Sequence, residues 1–409
     1  MSRHVLAMLR DPYRELMRLD REHGPVIQTG FPPLRFTYLL GPAANQFVFA
    51  NSGLFRWREA FQVLLPVGGE TALIVSDGEP HRRRRRLVQP AFHHRHIRAH
   101  AELMRANADA ELDTWRPGQV VDVYQAFRAV VRRSTIQALF GPRLAADEPE
   151  LGRLLQIGLD LVERPPLVQQ LSPLARRRAA RARAEVADRV RAEIARRDRD
   201  PEAGDVLALL VAARDEDGAG LSETEVVDQV ISLIAAGYDT TSAAMSWVIY
   251  ELVRDPAALA RAKESAQYRE WAVNEALRLY PPAVISARKP VRGFDYAGHR
   301  IRADGLVIIS PYVTHRLPEL FPDPLRFDPE RWDPARPGYR KPGPHEFLPF
   351  SGGAHRCIGA SFATMELTVL LDRLLQRAEL DPPTEPVRPV TLTAMRPKGG
   401  LWLRVRSLA

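Results

Sequence analysis

Cysteine is almost missing from this chain: Cys357 is the one thiol in 409 residues. A lone cysteine closes no intrachain disulfide, so a disulfide-stapled secreted domain is excluded and a reducing, cytoplasmic setting is expected. The first residues, MSRHVLAMLRDPYRELMRLD, carry a charge every three or four positions. That leaves neither the apolar core of a signal peptide nor the stretch of about 20 residues that crosses a bilayer, so no membrane anchor is expected. Internal repeats and low-complexity linkers are lacking as well, and a single domain over residues 1–409 is expected. At 45% hydrophobic and 26% charged, the composition excludes disorder as the main state and leaves ample core.

Charge is only mildly unbalanced, with 58 Lys and Arg against 50 Asp and Glu, a formal +8. Much of the excess sits in HRRRRR (residues 81–86) and RRRAARARAEVADRVRAEIARRDRD (residues 176–200). In the second run Ala, Val and Ile recur at steps of three and four with Arg and Glu between them. That is the pattern of a solvated helix face, and no nucleic-acid partner is expected. HHRHIRAH (residues 93–100) spaces His96 and His100 as in helical zinc sites, yet no carboxylate or cysteine completes the set, so a wet surface helix is expected there.

From about residue 90 to residue 280 helical periodicity dominates, with turn signals between the segments. After Tyr280 proline becomes dense, short β-rich stretches such as GLVIIS (305–310) occur, and a last helix is expected over about 359–377 before a hairpin in VTLTAMRPKGGLWLRV (390–405). Short strands are also expected near 26–29 and 36–40. A long helix is introduced by Ser222 with Glu225 three residues on, a capping box, and is stopped by Asp255-Pro256. The fold class is mainly α with a small β portion built from both chain ends.

Cys357 lies in FSGGAHRCIG (350–359), just before the last helix, where unpaired N–H groups and the helix dipole favour a thiolate. Ser351, Gly352, Gly353 and Ala354 give a backbone with almost no side chain, which a flat, bulky object can approach closely. A thiolate nucleophile and a soft metal ligand both fit this loop. As a base for the first, His355 sits at i, i+2 and points away from the sulfur, and no oxyanion arrangement is evident.

Phe350, Gly353, His355, Cys357 and Gly359 match, position by position, the haem-binding loop of the cytochrome P450 family, which this chain resembles. The resemblance implies the P450 fold, a long central helix over a buried haem b (iron protoporphyrin IX), and Cys357 as the iron ligand. It is carried further by LIAAGYDTTSAAM (233–245), where Asp239 and Thr240 look like the acid and alcohol pair that the family places beside bound dioxygen. Ala236 and Gly237 would make a flat floor on the same helix face. The bland alternative is that Thr240 bonds back to the carbonyl of Ala236. Glu275 and Arg278 in NEALR, with Arg331 in FDPERW, match the family's structural charge cluster. His81 and Arg85 in DGEPHRRRRRLVQPAF share a helix face, and with Arg288 and His355 they would take the haem carboxylates.

Residues that resemble the pocket walls are Leu73, Ile74, Ala235, Val284, Ile285 and Thr393, nearly all small or aliphatic, which implies an apolar fatty acyl, terpenoid or steroid substrate. The implied activity is a monooxygenase that inserts one oxygen atom into a C–H bond with electrons from NAD(P)H through a ferredoxin and its reductase. A peroxide-driven hydroxylase and a non-catalytic haem sensor are the alternatives. One departure stands out: the connection after Pro256, RDPAALARAKESAQYRE, is shorter than in relatives.

Overall fold

The computed structural model describes residues 12–30, 35–93, 100–164, 168–169, 171–197, 205–391 and 393–409. The histidine-rich stretch 93–100 falls largely outside the described residues. The chain divides into two compact units, Met1–Phe61 with Glu275–Cys357, and Gln62–Asn274 with Ile358–Ala409.

The first unit is built on a five-stranded sheet in the order Val26–Thr29, Phe36–Leu39, Leu306–Ile309, Ser286–Pro290 and Phe55–Arg56. The strands expected from both chain ends therefore pair, with Phe36 opposite Leu306 in the parallel ladder and Val26 opposite Leu39 in the antiparallel one. Successive side chains point to opposite faces, and both faces are covered. Val26, Leu39, Val307 and Ile309 pack on one side with Ala44 and Val48 of the helix Pro42–Ala50. Ile27, Tyr38 and Ile308 pack on the other with Leu16 and Leu19 of the helix Pro12–His23.

The second unit is helical around one central element, Glu223–Arg254, about 48 Å long at ~1.5 Å per residue. Its start is the expected capping box: Glu225 N–H donates to Ser222 Oγ at 3.2 Å and Ser222 N–H to Glu225 Oε2 at 2.9 Å. At its end Asp255 caps the next helix, Pro256–Glu264, by accepting from the N–H groups of Ala257 and Ala258. Ser265 then separates this helix from Ala266–Leu279, so the short connection holds one compact extra helix. The last helix runs Ala360–Arg377.

The hairpin expected over 390–405 closes earlier, pairing Pro389–Thr391 with Met395–Pro397. The final strand, Trp402–Leu408, joins Val120–Asp122 and Ala378–Leu380 instead. Gly399 and Gly400 turn the chain away with φ of 78° and 93°, and a Cβ at Gly400 would collide with the Asp122 carboxylate.

Members of both basic runs make long-range ion pairs. Arg83 Nε donates to Asp215 Oδ2 at 2.6 Å and Arg84 Nε to Glu225 Oε1 at 2.7 Å, leaving Arg82 and Arg86 as the exposed members of residues 81–86. The second run forms the helix Pro173–Arg197, whose Arg183 pairs with buried Asp228. Among the described residues no helix is long and apolar enough to cross a membrane.

One polar group in the second unit stands apart. Glu366, on the last helix, is 1% exposed and neither carboxylate oxygen has a hydrogen-bond partner among the described residues. Burial raises its pKa well above the usual value, so it is held as the neutral acid. The unfolded chain releases this proton above about pH 4.3 while the folded chain keeps it, so this group lowers stability as pH rises. Glu366→Met is expected to gain about 1–3 kcal/mol in chemical denaturation at pH 8 and much less at pH 5. A gain that does not change with pH would contradict the neutral assignment.

Candidate active site

The loop that carries Cys357 is tied to a buried charge cluster in the first unit. Arg278, at the end of the helix Ala266–Leu279, is fully buried and all five of its N–H groups are used. Nε and Nη2 donate to the two oxygens of Glu275 at 2.9 and 2.8 Å, and the others reach the carbonyls of His315, Pro324 and Arg326 at 2.7–3.1 Å. Glu275 also accepts from Arg331 Nε, Trp332 Nε1 and the Asp328 N–H at 3.0–3.3 Å. The structure thus brings together Glu275, Arg278 and Arg331.

His315, which sequence reasoning missed, connects this cluster to the thiol loop. Its Nε2 accepts from the Leu348 N–H at 2.7 Å, which leaves Nδ1 to donate to the Arg278 carbonyl at 3.2 Å and fixes the neutral tautomer. Burial, followed by the charges of Arg278 and Arg316, pushes its pKa down to about 3. From Leu348 the loop continues through short local bonds: Ser351 N–H to the Leu348 carbonyl at 3.0 Å, Arg356 N–H to the Gly353 carbonyl at 3.2 Å, and Cys357 N–H to the Phe350 carbonyl at 2.9 Å. Ser351 and Gly353 are left-handed, at φ of 57° and 67°, and a Cβ on Gly352 would lie 2.5 Å from the Phe49 ring. The backbone is folded tightly against Phe49, and the Cys357 side chain is left exposed two residues before Gly359, which precedes the last helix.

His355 and Arg288 meet on one aromatic ring, also missed in the sequence. The His355 ring stacks on Trp57 at 4.1 Å and 5°, Phe61 stacks on Trp57 at 4.2 Å and 11°, and the Arg288 guanidinium lies 4.0 Å from the centre of the same indole. Arg288 Nη1 donates to Ser286 Oγ and to the Ala287 carbonyl, both at 2.8 Å.

In the second unit the central helix is buried almost throughout its middle, except for one stripe. Ala236 is exposed, and Leu233, Gly237 and Thr240 are half-buried, at spacings of three, four and seven that define a single face. Thr240 Oγ1 donates to the Ala236 carbonyl at 2.8 Å, the back-bonding that its position in a helix allows. Asp239 lies on the buried side, 4% exposed. It accepts from Thr393 Oγ1 at 2.5 Å, Arg128 Nη2 at 3.1 Å and Tyr124 OH at 3.4 Å. Thr393 therefore spends its hydroxyl on a carboxylate.

The loop bearing Leu73 and Ile74 is pinned to the same helix. Asp228 Oδ2 accepts from the N–H and hydroxyl of Thr71 at 2.9 and 2.7 Å, and Gln229 bonds the Leu73 N–H and the Thr71 carbonyl at 3.1 and 2.9 Å. Leu73 and Ile74 are half-buried, Ala235 and Val284 buried, and Ile285 is 42% exposed. His81, on the helix Gly78–Val88, is buried. Desolvation and, next, the Arg85 charge push its pKa down to about 4.

These residues suit a haem. An exposed sulfur on a constrained glycine loop, cationic and imidazole side chains suited to carboxylates, and an uncovered small-residue stripe on a buried helix are what a flat, anionic macrocycle with a soft-ligated metal needs. The family model "Cytochrome P450" matches residues 4–404. The chain belongs to the cytochrome P450 family. Cytochrome P450 139 of Mycobacterium tuberculosis is 46% identical, covering 96% of this chain and 97% of the relative. The cyclooctat-9-en-7-ol 5-monooxygenase of Streptomyces melanosporofaciens is 30% identical over 93% of this chain and 87% of the relative. Retinoic-acid-bound cyanobacterial CYP120A1 superposes with a TM-score of 0.88 at 25% identity, covering 99% of this chain and 96% of that one. This P450 is a monooxygenase of a family that uses a haem-iron cofactor, dioxygen, redox partners and small-molecule substrates.

His315 gives a direct test of the scaffold. Between about pH 6.5 and pH 3 the unfolded chain takes up a proton on this histidine that the folded chain does not, so stability falls with acidification through that window. His315→Gln, which can make both hydrogen bonds without titrating, is expected to keep stability at pH 7.5 and lose part of the acid sensitivity. His315→Leu is expected to lose about 1–3 kcal/mol for each group left unpaired. Equal stability of the Leu variant in urea denaturation would remove His315 from the scaffold.

Proposed function

We propose that this P450 oxygenates a C–H bond of an apolar cyclic small molecule of the terpenoid class, on haem b held by the residues described above. The observation that carries this reading is the uncovered stripe of Leu233, Ala236, Gly237 and Thr240 on an otherwise buried helix. When bound, the haem supplies the activation of dioxygen. Cys357 Sγ would ligate its iron, with Phe350, Gly353 and Gly359 shaping the loop around the sulfur. His81, Arg85, Arg288 and His355 would take the two carboxylates, and the Trp57 stack would hold the last two side chains in plane.

Ala236 would leave room at the helix surface, and its neighbour Thr240 would present a hydroxyl there. The Thr240 proton is bonded to the Ala236 carbonyl, so its oxygen lone pairs are what an incoming donor would meet. Asp239 would hold protons on its carboxylate and pass them to this region as general acid. Leu73, Ile74, Ala235, Val284 and Ile285 would offer apolar contacts, while the Thr393 hydroxyl belongs with Asp239. Among fatty acyl, terpenoid and steroid substrates, the terpenoid is favoured by relatives named for cyclooctatin and cyclooctat-9-en-7-ol. Electrons would come from NAD(P)H in the cytoplasm through a ferredoxin-type donor, and exposed Arg356 beside the thiol offers a positive contact for an acidic partner.

An optical spin-state titration with cyclic terpene alcohols, fatty acids and steroids tests the substrate class. Terpene alcohols are expected to give the largest high-spin fraction, and a response confined to fatty acids would overturn the assignment. Thr240→Ala is expected to keep its haem while product per NAD(P)H falls by about tenfold or more, with hydrogen peroxide released instead. Unchanged coupling would remove Thr240 from proton delivery.

A further inference from the structure

We propose that Thr393 and Glu163 form the arm through which protons from solvent reach Asp239, an inference that rests on reading Asp239 as the general acid. Two hydrogen-bonded routes lead outward from this carboxylate, one from each oxygen. From Oδ1, Arg128 Nη2 continues to Gln156 Oε1 at 2.5 Å, and Gln156 Nε2 to exposed Asp160 Oδ1 at 2.6 Å. This route holds the carboxylate but does not conduct. A guanidinium stays protonated, and an amide offers no proton to pass on. Tyr124, whose hydroxyl also faces Oδ1, is a buried phenol, and burial raises its pKa and that of neighbouring Tyr238.

The route from Oδ2 is built differently. Thr393 Oγ1 lies 2.5 Å from Asp239 Oδ2 and 3.3 Å from Glu163 Oε1, so one hydroxyl bridges two carboxylates. Asp239 is the buried one, with 5% of its side chain exposed, and Glu163, at the end of the helix Glu148–Val162, is reached by solvent at 16%. A hydroxyl is the group that can donate and accept at once. When Glu163 has taken a proton from water, its Oε1–H bond breaks as that proton forms a bond to Thr393 Oγ1. The original Thr393 proton then bonds to Asp239 Oδ2. One proton enters and one leaves the hydroxyl, Asp239 becomes the acid, and Glu163 is left as a carboxylate. Arg396 Nη2, 3.2 and 3.3 Å from the two Glu163 oxygens, is placed to stabilise that anion. Arg128 on Oδ1 keeps Oδ2 turned toward Thr393.

The test uses the haem-loaded full chain with a surrogate ferredoxin and reductase, NAD(P)H and no organic substrate, following dioxygen consumption in H2O and D2O. Thr393→Val and Glu163→Gln are each expected to slow consumption by about tenfold and to raise the solvent isotope effect, with the double variant no slower than either. Thr393→Ser is expected to restore the rate, and Gln156→Leu to keep it. A second readout needs no turnover: the infrared carboxyl band absent from Asp239→Asn. Its frequency is expected to shift in Thr393→Val, which loses a hydrogen bond to the carboxylate, and to stay close to native in Gln156→Leu. Native rates and isotope effects in both variants, or slowing by Gln156→Leu instead, would overturn the proposal, as would an infrared band unmoved by Thr393→Val. A native rate in Asp239→Asn would instead sink the general-acid reading itself. A slow Asp239→Asn beside native Thr393 and Glu163 variants would sink this inference alone.

Discussion

A guanidinium with no exposed surface and no unused N–H group is the constraint on which the thiol loop depends. Arg278 is buried beside Glu275, and breaking such a pair by removing one partner costs about 3–5 kcal/mol because the remaining charge is stranded. Two of its five bonds go to that carboxylate, and the other three hold carbonyls at residues 315, 324 and 326. A lysine would supply three donors without the planar fork. The pair is better understood as fixing geometry than as adding net stability, since its desolvation offsets most of its attraction. What it fixes passes through neutral His315 to Leu348, and from there to a tight backbone fold that leaves a sulfur outside.

Electrostatics in the second unit follow a related logic with a different outcome. Asp239 is buried in a long apolar helix, and the described hydrogen bonds to its carboxylate come from elements distant in sequence: Tyr124 and Arg128 from one helix, Thr393 from a hairpin tip. A permanent cation on one oxygen and a hydroxyl on the other give a carboxylate that is held in place and still connected to an exchangeable proton. Glu366, by contrast, has burial without partners. Its neutrality follows from desolvation.

Local signals were legible in the sequence wherever one segment carried the whole message. Ser222 and Glu225 predicted the start of the central helix, Asp255-Pro256 its end, and the glycines around Cys357 the thiol loop. The fold class followed from helical periodicity plus strands at both ends. The contacts that organise the site were illegible because they join distant segments. His315 lies 37 residues from Arg278 and 33 from Leu348, and the Trp57 ring gathers side chains from two later segments. Nothing near Arg83 and Arg84 in the sequence marked their carboxylate partners, which lie 132 and 141 residues away. Thr393 was placed at a pocket wall by family resemblance, and its bond to Asp239, 154 residues away, has no local signal in the sequence.

The central claim is that this scaffold presents Cys357 as an anionic sulfur ligand to haem iron. Its most direct measurement is the absorption spectrum of the ferrous carbonyl adduct, native protein beside Arg278→Lys. The native adduct is expected to show the strongly red-shifted Soret band of thiolate ligation, and the variant a loss of that band toward the position of a neutral ligand. A folded, haem-loaded native protein without the red-shifted band would contradict the account.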